Sequence, residues 1–562
     1  MIRPSIRLLL ILLAAGFVLS GCSWNSKPEP QNVEAAVAIE PAYRGTVAEH
    51  ARLVDSGYLP VTGYGIVVGL GQDGSSEVPP RLKTLLVKQL ARNGLGWWRD
   101  DTETVTPMRV LRDPDTAIVR VSGKIPAGAP ASTTFDVEVQ AVGNQTRSLA
   151  GGILMPVELH REQPGVDVAL RATKTMATAG GPVYINPFID PEKPENLAKM
   201  RSGRIVGGGK VLEARQVNLQ MIRGNEFAMA HYIQRRINER FATSLSTRIA
   251  NARDASMINL TIPVEYRQNY MHFIRLIPNV PLKPDADGHA KQVAEQFVAP
   301  DANLDRLSLI WECIGAKSLP VLRRFYTHER DELAYHAARA GIRLGDTSQA
   351  AKVLGRLAAK PGPTQVPAIY ELGKHRRVYS QMQVLYEQLN SEDVQAQLAA
   401  YSALVERGDF SHVKRTTLPD GVILDVVETS RPYAIFAAST GEPRIVLFGS
   451  DMTIADEVFF EAPERLLTVD SRAGEKQIRL WRKTPRSGQM SDVQQCGRRV
   501  SDFVAFLANL PEIDFQARRR AREEGKVEPV KVQGLALTYS QVISVLYRMC
   551  EQGHIRATFV LR

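Results

Sequence analysis

Gly57-Tyr58-Leu59-Pro60-Val61-Thr62-Gly63-Tyr64-Gly65-Ile66-Val67-Val68-Gly69-Leu70-Gly71 places five glycines around a short β-branched core. Ile66, Val67 and Val68 have the stiff χ1 preference that suits a strand, and glycines on both sides suit close backbone approach or positive φ. The stretch reads as a strand bounded by tight structural corners, with Gly63, Gly65, Gly69 and Gly71 as the glycines its backbone requires. About two hundred residues downstream read as its continuation.

Leu82, Leu85, Leu86 and Leu90 fall at helical spacing, with Asn93-Gly94 as a stop, so a helix is expected behind the first strand. Asp115 to Ile125 reads as a strand. Phe135-Asp136-Val137-Glu138-Val139-Gln140-Ala141 alternates strictly, one face buried and the other wet, which makes Asp136 and Glu138 the solvent side. Arg147 to Leu154, through Gly151-Gly152, reads as a turn and strand, with Gly151 and Gly152 as further structural glycines. Pro182 to Ile185 is another extended piece, Pro187 to Arg204 a polar loop, and Gly207-Gly208-Gly209 a flexible point. A strand at Val217 to Leu219 precedes a helix capped by Asn225, with the stripe Phe227, Ala230, Ile233, Ile237 and Phe241. Ile258, Leu260 and Ile262 form a strand, and Tyr270 to Ile277 a short helix. Strands in runs with a few helices against them indicate α+β architecture, not a doubly wound sheet.

From Val293 to about Val413 the apolar spacing is helical. Leu344-Gly345-Asp346, Leu372-Gly373-Lys374 and Arg407-Gly408-Asp409 recur at intervals of 28 and 35 residues, which suits stacked helix pairs of HEAT type. Strand patterns return at Val422 to Val427, Arg444 to Phe448, Leu466 to Val469 and Ile478 to Trp481. The chain closes on a helix with the stripe Val542, Val545, Leu546 and Met549, an αL stop at Gly553, and a strand through Ile555, Ala557 and Phe559.

At 562 residues the chain is long enough for about three or four domains. With 44% hydrophobic and 23% charged residues it is neither a disordered chain nor a polytopic membrane protein. The net charge of +10 is spread among acids, and Arg518-Arg519-Arg520-Ala521-Arg522 is followed at once by Glu523-Glu524, so no nucleic-acid partner is indicated. Arg3 and Arg7 precede the apolar run Leu8 to Leu19, which is too short to span a bilayer comfortably but suits the core of an export signal. Leu19-Ser20-Gly21-Cys22 resembles the bacterial lipoprotein box, which makes Cys22 the lipid-attachment residue. Acyl chains contribute about 0.8 kcal/mol per buried methylene, enough together for durable anchoring. Ser23 after the cysteine points, by resemblance to lipoprotein sorting rules, to the outer membrane. Of Cys313, Cys496 and Cys550, the last two lie together in the C-terminal region and are the favoured disulfide pair in an exported chain.

Enzymatic signatures fail on context. Gly69-Leu70-Gly71-Gln72-Asp73-Gly74 matches G-x-G-x-x-G, but Pro79-Pro80 separates it from the helix and no acidic residue ends a strand at the required offset. No histidine has an i, i+4 histidine partner, paired-cysteine metal spacing is absent, and G-x-S-x-G does not occur. His231 reads as a packing or surface residue, and Trp97-Trp98 as a docking contact within the protein. No catalytic residue, cofactor or metal is expected.

Leu53 to Gly71, with Gly63-Tyr64-Gly65-Ile66-Val67-Val68-Gly69-Leu70, resembles the N-terminal signature of the flagellar P-ring protein family, the periplasmic ring subunits around the flagellar rod. Further likeness follows in order: Phe135 to Val142, Arg147-Ser148-Leu149 with Gly151 to Leu154, and Asn238-Glu239-Arg240-Phe241 with Ala252 to Val264. It covers roughly Ala48 to Ala290, with a fainter likeness at Leu537 to Val560. The lipid anchor and the helical array depart from that family. The expected organisation is a signal peptide at 1–21, a lipidated tether at 22–47, a P-ring-like α+β region at 48–292, a helical-repeat region at 293–418 and a β-rich region at 419–562. The resemblance implies a non-enzymatic, ring-forming envelope protein that self-associates and contacts rod and L-ring proteins and peptidoglycan, and the separate lipoprotein box makes it a lipoprotein. The alternative is a non-flagellar envelope scaffold that uses the helical array to recognise a partner.

Overall fold

The computed structural model describes residues 43–92, 106–162, 174–191, 193–222, 227–242, 248–430, 432–483, 488–510 and 534–562. Cys22, the expected signal peptide, most of the expected tether, Asn93-Gly94, Trp97-Trp98, Asn225 and the arginine run at 518–522 lie outside the described residues. Among the described residues no helix is long and apolar enough to cross a membrane. The chain from Gly45 to Arg562 forms one compact unit.

The first region contains β1 (Ala51–Val54), β2 (Leu59–Val68), α1 (Pro80–Arg92), β3 (Thr116–Ile125), β4 (Thr134–Ala141), β5 (Ile153–Arg161), β6 (Thr175–Pro182) and β7 (Ser202–Val211). Strands β2 to β7 close into a six-stranded barrel in the order β2-β3-β4-β7-β6-β5. Alternation decides which side chains fill it. Phe135, Val137 and Val139 of β4 point inward with Val119 and Val121 of β3, and Glu138 points out. Outside the barrel, Leu82, Leu86 and Leu90 of α1 pack on Ile66 and Ile118, as their spacing requires. Gly207-Gly208-Gly209, expected as a flexible point, instead lies within β7. The β4–β7 register shifts there, Gly207 takes φ +61°, and a Cβ on Gly209 would strike the Phe135 ring. The glycines thus form a bulge beside a buried aromatic ring.

Beyond the barrel come β8 (Val217–Met221), α2 (Phe227–Phe241), β9 (Ala250–Ala252), β10 (Met257–Leu260) and α3 (Tyr270–Leu276). A sheet ordered β1-β8-β10-β9 packs against Ala230, Ile233, Ile237 and Phe241 of α2. Phe227 falls outside that stripe: it is exposed and sits edge-on to His231.

The helical block holds α4 (Ala286–Phe297), α5 (Leu304–Ile314), α6 (Asp331–Arg343), α7 (Gln349–Ala359), α8 (Gln365–Lys374), α9 (Met382–Gln388) and α10 (Val394–Arg407). Val293 lies inside α4. Ser318 to Leu322 fall in short helical turns before α6. The three glycines that suggested a repeat have two different roles. Gly345 and Gly408 follow helix ends with φ of +94° and +77°, whereas Gly373 lets α8 approach Ala403 of α10. The aspartates after the two end glycines share a partner type. Tyr326 donates to Asp346 at 3.1 Å and Tyr386 donates to Asp409 at 2.7 Å.

The C-terminal region contains β11 (Val413–Thr417), β12 (Ile423–Val427), β13 (Ala434–Ala437), β14 (Arg444–Phe448), β15 (Val458–Glu461), β16 (Leu467–Ser471), β17 (Gln477–Arg482), β18 (Gln494–Gly497), α11 (Val500–Ala508), α12 (Tyr539–Glu551) and β19 (Thr558–Leu561). Two sheets, β11-β12-β14-β13-β19 and β15-β16-β17-β18, share a core with α11 and α12. Cys496 and Cys550 both belong to this core but stay separate free thiols, as does Cys313. The favoured disulfide is therefore absent from this structure: Cys496 packs from β18 and Cys550 from α12. Burial pushes both thiols up to about 12.

Candidate functional site

The glycines singled out by the sequence converge on the join that closes the barrel. Strand β5 pairs with β2 only near its two ends, Val61 and Thr62 against Arg161 and His160, then Val67 and Val68 against Leu154 and Ile153. Between those ends the register shifts and the backbones crowd. A Cβ on Gly63 would lie 2.5 Å from the Glu158 carbonyl oxygen, and one on Gly65 would lie 3.0 Å from Leu154 Cδ1. A Cβ on Gly152 would overlap Val67 and Leu70. The other three glycines serve conformation: Gly69, Gly71 and Gly151 have φ of +84°, +65° and +76°. Gly63, Gly65 and Gly152 thus let β5 come onto β2, while Gly69, Gly71 and Gly151 supply positive-φ backbone beside the join.

The loop after β2 uses its own amides. Leu70 N–H donates to the Asp115 carbonyl at 3.0 Å, Gly71 N–H to Asp115 Oδ1 at 2.6 Å, and Gly74 N–H to the Pro114 carbonyl at 3.1 Å. A phosphate-binding loop needs such amides aimed at a ligand. Here the chain itself consumes them, and α1 begins only at Pro80. Among the described residues no group of three or more His, Cys, Asp or Glu is placed to hold a metal ion.

Three polar seams brace the regions against one another, and none was legible in the sequence. At the barrel–C-terminal seam, Asp136 Oδ1 accepts from Gly207 N–H at 2.7 Å and Gly441 N–H at 3.0 Å. Ser540 Oγ both accepts from Ile185 N–H and donates to its carbonyl, and Phe188 meets Tyr547 edge-on. Asp136 is therefore a staple and not merely the wet side of β4.

At the seam between the first region and the helical block, the Arg343 guanidinium of α6 forks onto Glu371 of α8 (Nε–Oε1 2.6 Å, Nη2–Oε2 2.7 Å). It also reaches Glu312 of α5 at 3.0 Å. Glu312 Oε2 lies 2.8 Å from His272 Nε2 of α3, which carries the network into the first region. Arg240 of α2 donates to the carbonyls of Glu312 and Cys313, and Leu309 and Cys313 share the core of the β1-β8-β10-β9 sheet. Burial alone would raise the Glu371 pKa, but the His375 hydrogen bond and the Arg343 charge hold it well below the usual carboxylate range.

At the third seam, the fully buried Asp425 of β12 accepts a bidentate pair from Arg415 (2.9 and 2.7 Å) and a bond from Tyr401 of α10. Arg444 donates to Tyr401 Oη at 3.0 Å. Paired charges with fixed partners of this kind resist relative sliding, since breaking one leaves an uncompensated buried charge.

Comparison with known proteins bears out the resemblance over the first region. Residues 49–295 match the family model described as flagellar P-ring protein. The flagellar P-ring protein of Oleidesulfovibrio alaskensis is 27% identical over 231 residues, 40% of this chain and 57% of the relative. That of Syntrophotalea carbinolica is 28% identical over 260 residues, 44% of this chain and 64% of the relative. That of Nitrobacter winogradskyi is 30% identical over 233 residues, 40% of this chain and 56% of the relative. The chain thus spans less than two thirds of the length of these relatives.

Proposed function

We propose, starting from that P-ring match, that the chain is a structural, ring-forming lipoprotein of the bacterial envelope, anchored through Cys22 and set at the periplasmic face of the outer membrane. The observation that supports this most is the coincidence of the matched stretch, 49–295, with the barrel and the sheet beside it. The glycines at the heart of that stretch are used to close the barrel wall, which suits a part in assembly. Self-association would occur through β-rich and loop surfaces in a head-to-tail arrangement, because a heterologous contact that closes generates a ring. Flagellar rod and L-ring proteins and peptidoglycan are the proposed neighbours. Purified basal bodies should contain the protein, and their consistent lack of it would remove the flagellar reading.

A second reading has its own support: α5 to α10, Leu304 to Arg407, lie wholly beyond the matched stretch. In that reading the ring module serves a non-flagellar envelope scaffold, and the helical block recognises a partner. Deleting the block is a poor test, because Leu309 and Cys313 belong to the first region's core. Substituting the exposed Tyr379 leaves that core intact. Loss of partner capture by Tyr379→Ala, with ring assembly unchanged, would support the second reading.

A further inference from the structure

Five segments of the C-terminal half and its seam surround a depression of about 500 Å³ whose chemistry the assembly role leaves unused. Arg465 comes from the turn between β15 and β16, Lys483 from the end of β17, and Arg548 from α12. Glu461 of β15 and Asp190, from the segment after β6, complete the charged lining. Three cations therefore face two carboxylates. Glu461 is already engaged by Arg465 at 3.2 Å. Among the described residues the Lys483 ammonium and the Arg548 guanidinium have no hydrogen-bond or ion-pair partner, and Arg548 Nε is buried with its N–H unsatisfied. Arg465 itself holds φ +56°, a conformation that non-glycine side chains rarely adopt and that is found where a turn presents groups to a site.

We propose that this depression binds a phosphate-class oxyanion, with the Arg548 fork and the Lys483 ammonium as its main ligands and Arg465 as a third held in reserve by Glu461. A planar guanidinium matches two oxygens of a tetrahedral phosphate, and an ammonium supplies a compact second charge. Such a group is carried both by anionic lipid headgroups and by soluble phosphates, and the site reads what they share. The assignment does not rest on the ring reading.

The test uses the full-length protein and inorganic phosphate, followed by 31P line broadening at fixed ionic strength in chloride. Saturable broadening is expected, and Arg548→Gln and Lys483→Gln should each weaken it about tenfold, the effect of losing one charge-assisted bond. Glu461→Gln should strengthen it by releasing Arg465, a sign that a merely structural role for these residues does not give. Displacement of phosphate by phosphatidylglycerol vesicles, but not by phosphatidylcholine vesicles, assigns the site to a lipid headgroup. Retention of phosphate against both assigns it to a soluble phosphate. Absence of saturable broadening, or broadening unchanged in the Arg548→Gln/Lys483→Gln variant, overturns the proposal. Glu461→Gln is a surface change, so a fall in affinity there counts against it even if the double variant does not fold.

Discussion

Replacing Gly63 by alanine should weaken the barrel, although alanine is ordinarily the better residue in a strand. The new Cβ would stand 2.5 Å from the Glu158 carbonyl oxygen. Carbon and oxygen ordinarily approach to about 3.3–3.6 Å, so β5 must retreat by about 1 Å at the place where it closes on β2. The obstacle is backbone, which cannot rotate away as a side-chain end can. Overpacking of this kind costs about 1–3 kcal/mol. Reduced freedom of the unfolded chain returns about 0.4–1 kcal/mol, which leaves a net loss centred on about 1 kcal/mol by those two magnitudes. Two companions isolate the cause. Gly57→Ala meets nothing within 4 Å and should be neutral or stabilising. Gly65→Ala meets Leu154 Cδ1, a flexible end, and should fall between the two. Urea unfolding midpoints, with hydrogen exchange of β2 and β5 amides to locate the effect, read the order directly. A Gly63→Ala midpoint at or above that of Gly57→Ala would refute the seam argument.

Other consequences can be checked independently. Glu371→Gln leaves Arg343 with a weakened buried partner and should cost about 3–5 kcal/mol, as breaking buried pairs does, measured by the same urea transition. Because the Glu371 pKa is depressed on folding, its contribution is fully present above the unfolded value of about 4.3 and is lost as pH falls through the folded value. The wild type should therefore lose stability below about pH 4, and Glu371→Gln should show a shallower acid slope. With their thiols pushed up to about 12 by burial, Cys496 and Cys550 should resist maleimide at pH 8 until urea unfolds the protein. Labelling of Cys496 in the native protein would contradict the burial seen for it. Cys22→Ser should abolish acyl labelling in cells, and undiminished labelling would reject the anchor.

What could be read from the sequence follows the range of each interaction. The strands β2, β3 and β4 and the helix α1 were legible because alternation and 3.6-residue spacing are local signals, met within ten residues. Strand β6, Thr175–Pro182, passed largely unread because Ala-Gly-Gly-Pro carries no apolar alternation. It is held by β5 and β7, not by its own propensity. Gly207-Gly208-Gly209 looked flexible because composition alone cannot tell a hinge from a bulge. The difference lies in Phe135, more than seventy residues earlier, whose ring fills the space. The seams were hidden for the same reason on a larger scale: Asp136 meets Gly441 across 305 residues, and Ser540 meets Ile185 across 355. The glycine stretch reads from its sequence as a tight corner, and the close approach at Gly63 and Gly65 becomes visible only with β5 in place.

The central claim, that this chain assembles into rings through a P-ring-like module, is tested most directly by electron microscopy of the purified, detergent-solubilised protein. Closed rings of cyclic symmetry are expected, and they should disappear or fragment in a Gly63→Val variant that can no longer close its barrel. A wild type that remains single, separate particles across concentrations up to those of a crowded envelope would contradict the account.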